Sequence, residues 1–83
     1  MIIRIHPHAR ERMRERGATA DEVKETIRTG SAAAAKFGRT RFRRTFAFNS
    51  TWQRTRYAAK QIDAFAAIIK DGWLVVTVIV KYF

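Results

Sequence analysis

The chain has no cysteine, one proline and four glycines among its 83 residues. Without thiols there is no disulfide scaffold and no thiolate zinc site, and such usage fits a reducing compartment. No glycine-rich phosphate loop occurs, and no Ser-His-Asp set can be assembled. Acids are scarce: Asp+Glu number 7 against 17 Lys+Arg, a net charge of +10. The longest apolar run, Trp73 to Val80, is far too short to span a bilayer. The opening Met-Ile-Ile-Arg-Ile-His-Pro lacks the apolar stretch of a secretory signal, so the cytoplasm is the expected location.

What is present describes one domain over residues 1–83. A hydrophobic content of 47% with 12% aromatics is too apolar for a disordered chain. The length supports one core and not two. A strong positive charge does not bear on the fold, but it selects partners: nucleic acid, an anionic surface or an acidic protein.

Ile2 to Ile5 reads as a short edge strand. Pro7 suits the first helical turn, where its missing N–H costs nothing, and Gly17 stops that helix near residue 16. Thr19-Ala-Asp-Glu22 is a capping-box pattern opening a second helix, with Val23, Thr26 and Ile27 as its apolar face and Gly30 at its end. Ser31 to Lys36, rich in alanine, reads equally as a helical extension or a poor strand. From Arg39 the chain alternates, with Arg39, Arg41 and Arg43 on one face and Phe42, Phe46 and Phe48 on the other. Arg44 breaks the pattern and implies a bulge or partial exposure. Asn49-Ser-Thr predicts a turn.

Tyr57 to Ile69 has helical propensity, yet Asp71-Gly72 between Ala67–Lys70 and Trp73–Val76 is a two-residue hairpin signal, which favours a strand. Trp73 to Val80 is apolar on both faces, Leu74, Val76, Val78 and Val80 on one and Trp73, Val75 and Ile79 on the other. It therefore reads as a central strand. Two small helices can cover only one face of such a sheet, so a second copy or a partner protein is expected on the other.

Three constellations carry chemistry. His8, Arg12 and Arg16 follow at four-residue spacing, each step drifting about 40° around a helix, so they form one stripe beside Ala9 and Met13. One imidazole and two guanidiniums on a stripe suit a phosphate, with His8 transferring protons and the arginines stabilising phosphoryl charge. The competing reading has Arg12 and Arg16 paired with Glu15, Glu11 or strand carbonyls. Second, no acid occurs between Glu25 and Asp63, while Arg39, Arg41, Arg43, Arg54, Arg56 and Lys60 fall there, among aromatics. These six are the candidate nucleic-acid contacts, with Lys36 in the same stretch; Phe42, Phe46 and Phe48 point inward as core, and other aromatics there, Phe37 and Trp52 among them, could stack unpaired bases. Third, His6-Pro-His8 has too few ligands nearby for a metal site. The apolar face of the first helix is too thin to enter a membrane.

The run His8-Ala-x-x-Arg12-Met-x-x-Arg16-Gly17, the acidic helix start Asp21-Glu-Val and the closing Val75-Val-Thr-Val-Ile-Val strand resemble a widespread bacterial family of unknown function. That family is similar to the BrnT-type toxins of the RelE-like class of small ribonucleases. The resemblance implies an α+β domain, with an N-terminal helical hairpin packed on a three- to four-stranded antiparallel sheet. It also favours the strand reading of 57–69. It further implies metal-free RNA cleavage in a type II toxin–antitoxin system and an acidic antitoxin partner, with no cofactor. Only His8, Arg12 and Arg16 match its signature. Lys81 and Tyr82 are further catalytic candidates if the strands bring them to the same face. A non-catalytic RNA- or ribosome-binding module, or an interaction protein with an acidic partner, would use the same basic face.

Overall fold

A computed structural model describes the chain from Met1 to Phe83, and its helices begin and end where capping chemistry dictates. Strand β1 (Ile2–Ile5) leads into helix α1 (Pro7–Arg16) and helix α2 (Ala20–Thr29). Pro7 occupies the first turn of α1, and His6 Nδ1 accepts the His8 amide at 3.1 Å. Gly17 closes α1 in the left-handed region (φ 81°), its N–H donating to the Met13 carbonyl. At the start of α2, Thr19 Oγ1 accepts the Glu22 amide at 3.1 Å and Glu22 Oε1 accepts the Thr19 amide at 2.9 Å, the reciprocal capping box.

Four further strands follow: β2 (Ser31–Ala34), β3 (Thr40–Trp52), β4 (Thr55–Ile69) and β5 (Gly72–Tyr82). They form one five-stranded mixed sheet in the order β1-β5-β4-β3-β2, larger than the three- to four-stranded antiparallel sheet expected. The expected edge strand β1 is present, and the segment left open between helix and strand, Ser31–Ala34, supplies the other edge. Ser31–Ala34 pairs antiparallel with β3, and β1 pairs parallel with β5. Strands from opposite ends of the chain have no hairpin to fix their direction, so no local signal encodes the parallel pair. Residues 57–69 fall within a strand, as expected. β4 is flanked by β3 and β5 along most of its length, and pairing on both sides outweighs the helical preference of its alanines.

Irregularities decide which face each residue occupies. Asn49-Ser-Thr is not a turn: β3 continues to Trp52 through a break in register between Ala47 and Ser50, where Asn49 takes φ 47°. Asn tolerates that conformation, and it serves a bulge here. The turn comes later, at Gln53-Arg54, with φ 49° and 70°. The β4–β5 loop is Lys70-Asp71, one residue earlier than expected, with Ile69 opposite Gly72. Gly72 serves close approach instead of the turn, since a Cβ there would lie 1.7 Å from the Ile2 carbonyl oxygen. A second register shift, opposite Phe65/Ala66, inserts Val76. Strict alternation along β5 therefore fails: Trp73, Val75, Val78 and Val80 all pack toward the core, and Ile79 is exposed on the other side.

The core lies between the helices and one sheet face. α1 packs on β5, and α2 on β3 and β4. Ala9, Met13, Val23 and Ile27 meet Ile62, Ala64, Ala66, Val75 and Val78, all buried. Each fully buried Ile or Val is worth about 1.5–3 kcal/mol. Small alanines on β4 let the helices sit close. The opposite face carries no helix. Neither helix is long or apolar enough to cross a membrane.

Candidate functional site

The alternation of β3 points Phe42 into the core and leaves Arg41 and Arg43 on the uncovered face, as its sequence pattern predicts. There they line a groove of about 770 Å³ with Arg39. The β2–β3 turn adds Lys36 and Phe37, β4 adds Asp63 and Phe65, and the β5 bulge adds Val76 and Thr77. His8 joins them from the first turn of α1. A histidine from one end of the chain and arginines from its middle therefore share one concave surface.

The arginines differ in what they hold. Arg43 is bidentate with Asp63, Nε to Oδ1 at 2.7 Å and a terminal nitrogen to Oδ2 at 2.8 Å. Hydrogen bonding to Arg43 holds the Asp63 carboxyl below the usual carboxylate range, against the opposing effect of burial, and the charges of Arg43, Arg41 and Lys81 lower it further. The same bond raises the Arg43 pKa. Arg39 and Arg41 have no carboxylate partner. The Nε of each is buried and has no hydrogen-bond acceptor. A buried donor left unpaired costs about 1–3 kcal/mol, so these two guanidiniums lack the satisfaction that Asp63 gives Arg43.

The His8/Arg12/Arg16 stripe is divided by the fold. Only His8 lines the groove. Arg12 pairs with Glu15 at 2.9 Å on the helix surface. Arg16 donates to the Val78 carbonyl, on the part of β5 that extends beyond its pairing with β1. Both guanidiniums thus have the partners that the structural reading of the stripe assigned them.

Lys60 and Tyr82 lie apart from the groove, at the C-terminal end of α1. Lys60 is 4% exposed, and its ammonium donates to the Gly17 carbonyl at 2.9 Å and Glu22 Oε1 at 2.8 Å. Burial first, and the Glu22 charge second, raise the Tyr82 pKa, so its hydroxyl stays a neutral donor to the Arg16 carbonyl at 2.7 Å. Tyr82 also stacks on Trp52 at 5.4 Å between ring centroids. These two side chains satisfy carbonyls that a helix end leaves without partners. Lys60 therefore has no free ammonium for a nucleic acid, and Tyr82 is not placed for catalysis in the groove. Arg54 sits at the far hairpin turn, with Arg56 beside it, both exposed and away from the groove. Lys81 is exposed and acts electrostatically on Asp63. Arg44 marks no bulge but is partly exposed, as the alternative reading expected: it lies on the helix side, paired with Glu25 at 3.3 Å and Thr29 at 3.0 Å.

Lys36 and Phe37 fall within the basic, aromatic stretch that the sequence marked, whereas Asp63, Phe65, Val76 and Thr77 were not foreseen as groove residues. Asp63, the first acid after a long basic stretch, was the one available signal. No three His, Cys, Asp or Glu side chains meet in a metal-holding cluster, and His6 Nδ1 is engaged in capping α1.

The fold and groove define a small α+β protein with two helices on one face of a mixed sheet and a basic groove on the other. The family model for a domain of unknown function, DUF4258, matches residues 5–80, and the chain belongs to that family. No curated protein and no solved structure matches it.

Proposed function

We propose that the groove binds the phosphodiester backbone of RNA and that His8 transfers the proton in its metal-independent cleavage, a toxin-like ribonuclease activity. The observation that carries this reading is that Arg39 and Arg41, which have no carboxylate partner and whose buried Nε atoms lack an acceptor, line the groove that also contains His8. Guanidiniums match phosphate oxygens in geometry and charge. In the reaction, the 2′-hydroxyl oxygen bonds to the adjacent phosphorus and the P–O5′ bond breaks. His8 takes the 2′-hydroxyl proton and returns it to the leaving 5′ oxygen, giving a 2′,3′-cyclic phosphate and a 5′-hydroxyl. Arg39 and Arg41 stabilise the charge that builds on the phosphoryl oxygens. The basic face is also where an acidic antitoxin-type partner would seat, covering the groove.

Cleavage of a labelled RNA, and binding of its uncleavable 2′-O-methyl counterpart, test this together. His8→Ala should lower the rate about 10²–10⁴-fold and leave 2′-O-methyl affinity and melting temperature unchanged, since His8 is exposed. EDTA should not alter the rate. Replacing Arg39 and Arg41 together by Ala should weaken binding and flatten its dependence on log salt by about 1.5 units. Salt-dependent binding without cleavage by the wild type makes the groove a non-catalytic RNA-binding module. Salt-independent binding removes the basic groove from the account.

A further inference from the structure

Phe37 is the most exposed large apolar side chain in the molecule, at 86%. It is also held in an unusual conformation, φ 63° and ψ 33°, in the tight turn Lys36–Gly38 between β2 and β3. A bulky residue in the left-handed region is strained, and such strain gathers at ligand sites. The neighbouring Gly38 takes φ 69° without that penalty, so a glycine at 37 would make the same turn more cheaply. The turn is braced, with the Ala35 amide donating to the Arg39 carbonyl at 2.8 Å and the Arg39 amide to the Lys36 carbonyl at 3.3 Å.

The ring therefore stands on a fixed support at the rim of the groove. Arg39 lies 5.7 Å from its centroid, and Phe65, half-buried, lines the same groove. No apolar neighbour covers the ring, so packing does not account for it. Its two flanking cations, Lys36 and Arg39, would hold backbone phosphates on either side of a nucleotide.

We infer that Phe37 is a stacking platform for an unpaired base, so that the groove takes single-stranded RNA with one nucleobase laid on the Phe37 ring. This rests on the RNA reading of the groove and specifies its substrate. A duplex keeps its bases stacked inside and offers no free face to a rim ring, whereas a single strand can turn one outward. An aromatic ring beside guanidiniums is tolerant of base identity, because every base has a π-face.

The test uses a short 2′-O-methyl RNA strand, the same strand as a duplex, and a strand of equal phosphate number whose sugars are abasic. Wild-type protein should bind the base-bearing single strand about 5- to 150-fold more tightly than the abasic one, the range for a single stacked base. Phe37→Ala should bring the base-bearing strand down to the abasic affinity and leave abasic binding unchanged. Phe37→Trp should restore the preference and show quenched indole emission on binding, measured against wild type to correct for Trp52 and Trp73. If Phe37→Ala binds all strands as wild type does, while the Arg39/Arg41 double variant is weakened, stacking is refuted and the phosphate groove stands. Equal losses on base-bearing and abasic strands mean that the ring only holds the turn, which also refutes it. Wild-type affinity in both the Phe37 and the arginine variants overturns the groove itself.

Discussion

Replacing Lys60 by Met isolates the ammonium that the fold buries. The substitution keeps the aliphatic stem and removes two donor contacts, to the Gly17 carbonyl and to Glu22 Oε1, as well as the charge 5.2 Å from the Phe48 ring. A hydrogen bond from a charged donor is worth about 1.5–3 kcal/mol, and a buried acceptor left alone costs about 1–3 kcal/mol. Breaking a fully buried ion pair costs about 3–5 kcal/mol, but the Glu22 side chain is 24% exposed and rehydrates in part. The expected loss is therefore about 2–4 kcal/mol. For a domain of this size that lowers Tm by roughly 10–30 °C. Circular dichroism melts of wild type, Lys60→Met, Glu22→Gln and the double variant form a cycle. Gln at 22 retains a carbonyl oxygen for the Thr19 cap, so the coupling reports the Lys60–Glu22 contact and should exceed about 1 kcal/mol. Below the melting temperature of the variant, affinity for 2′-O-methyl RNA should match wild type. Unchanged stability with a fall in RNA affinity would refute the reasoning, because the ammonium would then be serving a ligand and not the end of α1.

Two further predictions concern stability. The folded pKa of Asp63 lies below its unfolded value, so the stabilisation from its pair with Arg43 is fully present above about pH 4. It is lost as pH falls through the folded value. In urea titrations, the gap between wild type and Asp63→Asn should be constant near neutrality and shrink on the acid side of pH 4; a gap that widens there is the contrary result. Gly17→Ala places a Cβ 2.5 Å from the Tyr82 hydroxyl and 2.7 Å from the Trp52 ring, in a conformation that costs about 1–2 kcal/mol for any L side chain. It should destabilise by at least about 2 kcal/mol, and less so with Tyr82→Phe in the background.

The features readable from sequence were those set by neighbours along the chain. Pro7, Gly17 and the Thr19/Glu22 box bound the helices because capping involves residues only a few positions apart. The alternation of Arg41 and Arg43 with Phe42 assigned β3 its two faces because the period of a strand is local. The basic stretch before Asp63 supplies the arginines of the groove, although it also counted Arg54 and Arg56, which lie away from it, and Lys60, which the fold consumes. Three outcomes waited for the tertiary structure. The parallel β1–β5 pair joins residues about seventy apart in sequence, with no hairpin to fix their direction. The bulge at Val76 shifts the faces of β5 by one residue, a choice that depends on β4 lying opposite. The grouping of His8 with Arg39 and Arg41, and the separation of Arg12 and Arg16 from them, follows from where α1 lands on β5. A helical stripe specifies which side chains share an angle, but the partner each one meets is fixed by the surface beneath: Glu15 for Arg12, the Val78 carbonyl for Arg16, and the open groove for His8.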